Sequence, residues 1–190
     1  MAADGIRMAA TKLRAPSPPR RLVDRTRLAQ LLDRGIGGGA PLLLVSAPAG
    51  SGKSTLVAAW AAVRPEAVAW LQVEDGDSDP AGFWSFLVAA IGRCLPDVAA
   101  AVGPLVIGSQ GHDRVVVPAI VNAVAATGAP LIVVVDDYHL IDDADVHRGV
   151  ERLVELAPAG LSLVLCTRVD PPFRLGRMRV RNRVAEVRAQ

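Results

Sequence analysis

Ala47-Pro48-Ala49-Gly50-Ser51-Gly52-Lys53-Ser54 follows the apolar run Pro41-Leu42-Leu43-Leu44-Val45 and opens a helical stretch, Thr55–Val63. Strand, glycine-containing loop and helix in that order are the layout of a P-loop, and they point to a nucleoside triphosphate as the ligand. Gly50 and Gly52 lack a Cβ, so the backbone can turn tightly and bring its N–H groups to phosphate oxygens. The helix N-terminus behind them aims a partial positive charge at the same anion. Lys53 is expected to reach the β- and γ-phosphates, and the Ser54 hydroxyl to ligate Mg²⁺. The pattern's first glycine is Ala47 here. Of the 21 basic residues only Lys12 and Lys53 are lysine. A chain that almost always uses Arg keeps a compact ammonium where a point charge suits phosphate.

The 190 residues suffice for one domain with a substantial core. Charge is unevenly spread: residues 1–34 carry eight basic and three acidic groups, residues 168–190 seven and two, and the middle six and fourteen. Basic ends are compatible with nucleic acid, but these arginines are scattered and read as a solvated surface. Cys94 and Cys166 lie in apolar runs with no CxxC or Cys/His cluster, so they are expected to be buried free thiols suited to a reducing cytosol. Residues 1–21 hold no apolar core of signal-peptide length. Val115–Val135 is uncharged, but Pro118, Asn122, Thr127, Gly128 and Pro130 interrupt it. It reads as a helix over about 117–127 followed by a buried strand, and no membrane contact is expected.

Residues 1–20, with Pro16, Pro18 and Pro19, read as an extended lead-in, with Met8 an alternative start, and residues 21–190 as one nucleotide-binding unit. Asp24 is expected to cap a helix bearing Leu28, Leu31 and Leu32. Strands are expected at Pro41–Ser46, Ala67–Val73, Leu131–Val135, Leu161–Cys166 and Val184–Arg188. A helix capped by Asp79 with Pro80 at its first position carries Phe83, Phe86, Leu87, Ala90, Ile91 and Cys94 on one face. Another spans about 145–157. Short, continuously apolar strands alternating with helices specify an α/β fold, a parallel sheet covered on both faces.

Val133-Val134-Val135-Asp136-Asp137 reads as a Walker B strand delivering its carboxylates to the sheet edge that holds the P-loop. Asp136 would share Mg²⁺ with Ser54, while Asp137 would orient or deprotonate an attacking water. Arg168, at the matching end of the next strand, suits sensing of the γ-phosphate. His139 is read as loop structure; His112 and His147 carry no signal. Asp75, Asp77 and Asp79 lack the twelfth-position Glu of a Ca²⁺ loop and are assigned turn and cap roles.

Thr11–Pro16, Arg21-Leu22-Val23, Ser46–Thr55, Val68–Leu71, Asp75–Pro80, Asp136-Asp137-Tyr138-His139-Leu140-Ile141 and Thr167–Pro172 together resemble the N-terminal ATPase module of large MalT-like, LuxR-family transcriptional activators of the STAND class. The resemblance implies an AAA-like P-loop fold with five parallel strands ordered 5-1-4-3-2. It implies ATP phosphates bound by Ala49, Gly50, Ser51, Gly52, Lys53, Ser54 and Thr55, with Asp136 and Asp137 as the acidic pair. Arg168 would be the sensor, and Leu22–Arg25 would flank adenine. It further implies an ADP-bound off state, an ATP-bound on state that self-associates, and slow Mg²⁺-dependent hydrolysis. Family members continue into winged-helix, helical-repeat and DNA-reading helix-turn-helix regions, and this chain is expected to stop before them, as a fragment or a truncated product. DNA contact would then belong to the absent C-terminal region. Two rivals remain: a P-loop small-molecule kinase with Arg174–Arg183 as its lid, and a basic nucleic-acid module with Arg177, Arg179, Arg181 and Arg183 on one face of a strand.

Overall fold

The computed structural model describes residues 10–17, 25–109 and 111–188. Its strands are β1 (Leu42–Ser46), β2 (Ala67–Gln72), β3 (Leu131–Asp136), β4 (Leu161–Thr167) and β5 (Val184–Arg188). They pair in parallel in the order β2-β3-β4-β1-β5, the expected order read from the other edge. β3 is buried along its whole length and β1 from Leu42 to Val45, which is why both read as continuous apolar runs.

The helices are α1 (Thr26–Gly37), α2 (Lys53–Ala61), α3 (Pro80–Gly92), α4 (Pro96–Gly108), α5 (His112–Thr127), α6 (Ala144–Leu156) and α7 (Leu175–Val180). Alternate strand residues face opposite sides, so the sheet divides two cores. On one side Leu43, Val45, Val134 and Val164 pack with Leu32 of α1 and Val57 and Trp60 of α2. On the other, Leu44, Val133, Val135 and Leu165 pack beneath α3, α4, α5 and α6. Helices α3 and α6 approach so closely that a Cβ on Gly149 would stand 2.4 Å from Trp84 Cζ2.

The structure corrects the sequence reading in several places. α5 begins at His112 rather than near 117 and runs through Pro118, because burial of Val116, Val117, Ile120 and Val124 outweighs the missing N–H. α4 was not anticipated; Pro96 starts it and Val98, Val102 and Val106 form its buried stripe. Residues 175–180 are helical, since Leu175 and Met178 are buried at i, i+3 spacing, which removes the strand of aligned guanidiniums. The lead-in is not simply extended: Ala10–Leu13 is a 3₁₀ turn. Lys12 there pairs with Asp77 at 2.8 Å and Glu74 at 2.9 Å, above the Phe86 ring, and Leu13 is buried. Pro18, Pro19, Leu22 and Asp24 lie outside the described residues; α1 starts at Thr26 with no side-chain cap from Arg25.

Asp79 caps α3 through Gly82 N–H at 2.7 Å, as expected. Both cysteines are free; Cys166 is fully buried, while Cys94 is half-buried and donates to the Val68 carbonyl. Among the described residues no helix is long and apolar enough to cross a membrane.

Candidate nucleotide site

β1 delivers its loop to the C-terminal edge of the sheet, where Ala47 N–H donates to the Thr167 carbonyl of β4. Gly50 and Gly52 hold φ of 72° and 79°, a left-handed backbone that side chains resist. Lys53 opens α2 and is 8% exposed; its Nζ donates to the carbonyls of Ala47 at 2.7 Å and Pro48 at 3.0 Å. Arg25, just before α1, donates to the Ser51 carbonyl at 2.7 Å. The Ser51 hydroxyl is buried without a partner among the described residues. Ala49 and Gly50 form the exposed tip, and Thr55 is half-buried on the first turn of α2. Beside the loop, Arg25, Leu28, Val45, Lys53, Leu56 and Val187 line a cavity of about 70 Å³.

β3 ends at the same edge in Asp136, which is 0% exposed. One carboxylate oxygen accepts from Asp137 N–H at 3.0 Å and the other has no hydrogen-bond partner among the described residues. Burial raises the Asp136 pKa, opposed by the nearby Ser54 hydroxyl. A buried orphan oxygen beside a serine hydroxyl fits Mg²⁺, which takes one or two protein oxygens and fills its remaining positions with water and phosphate. Among the described residues no group of three or more His, Cys, Asp or Glu converges on a metal-sized site; Asp77 pairs with Lys12 and Asp79 caps α3.

Asp137 sits in the left-handed region at φ 53°, a conformation that carries some strain for a non-glycine residue. Its carboxylate accepts from Gln72 Nε2 at 2.8 Å and lies 3.8 Å from His139 Nδ1. From sequence alone His139 reads as loop structure. In the structure its side chain is 10% exposed, and both ring nitrogens are buried without hydrogen-bond partners among the described residues. Burial, then the positive charges of Arg168 and Lys53, lowers its pKa and holds the ring neutral. Arg168 follows β4 directly and is exposed. Lys53, Ser54, Asp136, Asp137 and Arg168 therefore meet at one edge, with His139 among them. The available signal for His139 was its place two residues after Asp137, in the 3₁₀ turn Tyr138–Leu140.

Residues 18–166 match the family described as AAA ATPase domain. The chain belongs to that family. This AAA domain is 33% identical over 158 residues to the HTH-type transcriptional regulator MalT of Serratia proteamaculans, covering 78% of the chain and 16% of that protein. It is 32% identical over 186 residues to the serine/threonine-protein kinase PknK of Mycobacterium tuberculosis, covering 94% of the chain and again 16% of the relative. Among solved structures, a STAND protein with a tetratricopeptide repeat sensor from Pyrococcus horikoshii matches with a TM-score of 0.60 at 23% identity, over 92% of this chain and 24% of that one. Cdc6p from Pyrobaculum aerophilum matches with a TM-score of 0.60 at 15% identity, over 94% and 49%. The structural matches show the P-loop fold, and the MalT match bears out the resemblance to the N-terminal module of MalT-like regulators. The AAA domain spans about one-sixth of the length of these curated relatives.

Proposed function

We propose that this AAA domain is a nucleotide switch that binds Mg²⁺-ATP, hydrolyses it slowly and holds ADP afterwards. The observation that carries the reading is the unpartnered, buried oxygen of Asp136 beside Ser54, on the sheet edge that also presents Lys53. The backbone of Ala49–Thr55 wraps the phosphates, and Lys53 transfers its hydrogen bonds from its own loop to the β- and γ-phosphates. Ser54 and Asp136 hold Mg²⁺, which supplies charge neutralisation at the phosphates when bound. Asp137, braced by Gln72, orients and deprotonates the attacking water, and the neutral His139 ring beside it fixes the carboxylate's direction. Arg168 meets the γ-phosphate from β4. The cavity beside Arg25 and Leu28 takes one edge of the adenine.

The matched stretch is common to a transcriptional regulator and a protein kinase. That supports a shared regulatory module rather than a DNA reader or a phosphotransferase in its own right. Self-association in the ATP state follows from the STAND likeness, with DNA contact left to other regions of a longer protein. Two free thiols and the bacterial relatives suit a cytoplasmic setting. The test is the nucleotide released from purified protein on denaturation, together with ATP and ADP titrations with and without Mg²⁺. Mg²⁺-dependent ATP binding that Lys53→Ala eliminates is the expected result; equal affinity of both proteins would sink the assignment.

A further inference from the structure

Tyr138 stands between the two site residues Asp137 and His139 and points the opposite way, into the core, where it is 1% exposed. Its hydroxyl lies 2.8 Å from His147 Nδ1 on α6. Burial favours the neutral form of that imidazole, and in the tautomer protonated at Nε2 its Nδ1 accepts the hydrogen bond from the tyrosine O–H. The Tyr138 ring meets the His147 ring edge-on at 5.5 Å and the Phe173 ring at 5.8 Å, with His147 and Phe173 at 6.2 Å. Phe173 is buried on the segment that leaves Arg168. One aromatic cluster thus joins the turn after β3, the helix α6 and the loop carrying Arg168.

We propose that the Tyr138–His147 hydrogen bond is a positioning device for hydrolysis, fixing the Asp137–His139 turn from the core side and, through Phe173, the loop of Arg168. The claim rests on the ATPase reading above. In a 3₁₀ turn successive side chains lie about 120° apart, so pinning residue 138 inward sets the direction of residue 139. It also holds Asp137 in its left-handed backbone, the one position in the turn with a standing tendency to relax. The far end is fixed separately, because Ser78 Oγ donates to the Leu140 carbonyl at 3.3 Å and accepts from Asp142 N–H at 3.1 Å. The near end has Tyr138. A phenylalanine there would fill the same space, so the hydroxyl is needed for direction and not for packing.

Tyr138→Phe, His147→Leu, the double variant and His147→Asn separate these roles in the whole chain. Asparagine places an acceptor close to the position of Nδ1. Tyr138→Phe and His147→Leu should each slow single-turnover hydrolysis about 10-fold, within the range that a small misplacement costs. ATP affinity should stay within about 2-fold, since the phosphate loop is untouched. The double variant should be no slower than either single, and His147→Asn should recover most of the rate. In nucleotide-free protein, the amide resonances of Asp137 and His139 should shift on Tyr138→Phe while those of Gly50 and Gly52 stay in place. Parental hydrolysis with unmoved resonances overturns the proposal, as does a loss of affinity and melting temperature in step with rate. A parent that binds no ATP would overturn the switch reading instead, and the Asp137 and His139 resonances would still decide the positioning claim.

Discussion

Lys53 turns its ammonium back onto its own loop, donating to the Ala47 carbonyl at 2.7 Å and the Pro48 carbonyl at 3.0 Å. The buried cation therefore has partners within its own loop, and in the switch reading it exchanges them for phosphate oxygens. Lys53→Ala should abolish measurable ATP binding by calorimetric titration. It should also lower unfolding free energy by about 1–2 kcal/mol, because two carbonyls lose a charged donor. Lys53→Arg should impair binding as well, since a planar fork does not fit the space between those carbonyls. Unchanged affinity in either variant counts against the phosphate role.

Asp136 and Asp137 are adjacent in sequence and opposite in situation: one is fully buried against Ser54, the other is turned out toward His139 and Gln72. Asp136→Asn should weaken Mg²⁺-dependent ATP binding. Asp137→Asn should leave binding intact and slow hydrolysis by about 10²–10⁴-fold, the usual cost of losing a general base. Affinity and single-turnover rate, measured for both variants beside the parent, give the check. Normal Mg²⁺-ATP binding by Asp136→Asn, or parental hydrolysis by Asp137→Asn, reverses or removes the assignment.

The parts of this fold legible in sequence are those whose pattern is local. Leu131–Val135 and Leu42–Val45 announce buried strands because both faces of a central parallel strand are covered. Gly50, Gly52 and the acidic pair announce the candidate site because each suits the backbone geometry or charge of a phosphate loop or strand end. What escaped depends on distant partners. Lys12 looks like one more surface cation until Asp77 and Glu74, more than sixty residues on, surround it. His139 is an unremarkable loop histidine until the sheet order brings Arg168 and Lys53 near it. The Arg177–Arg183 alternation mimics a strand face, and only burial of Leu175 and Met178 reveals the helix.

Gly149 marks a packing limit that does not involve the site. A methyl group there meets Trp84 Cζ2 at 2.4 Å, and Trp84 is 0% exposed, so neither helix can give way cheaply. Gly149→Ala should cost about 1–3 kcal/mol by overpacking, read as a lower urea midpoint. ATP affinity of the folded fraction should not change. Gly176→Ala is the control: nothing lies within 4 Å of its added Cβ in α7, and removing glycine from a helix should stabilise by about 0.5–1 kcal/mol. Equal midpoints for the two variants would show that α3 and α6 have room to separate.

His139 supplies the sharpest test of the site's second layer. Its neutral ring stands 3.8 Å from Asp137 with both nitrogens buried and, among the described residues, without a hydrogen-bond partner, a costly state unless something arrives to use them. In the switch reading that something is the hydrolytic water and the carboxylate reoriented around it, so the ring acts by holding Asp137 rather than by capturing nucleotide. His139→Ala should keep Mg²⁺-ATP affinity while slowing hydrolysis by about 10–10²-fold. Combined with Asp137→Asn it should add little, because the two act as one unit and their losses are not additive. Removing an unpaired buried imidazole should not unfold the chain, so melting temperature should stay level or rise. The decisive comparison is single-turnover hydrolysis of parent, both single variants and the double variant at saturating Mg²⁺-ATP. If the double variant loses the product of the two single losses, His139 works independently of Asp137. If His139→Ala weakens ATP binding in proportion to its rate, the ring belongs to nucleotide capture.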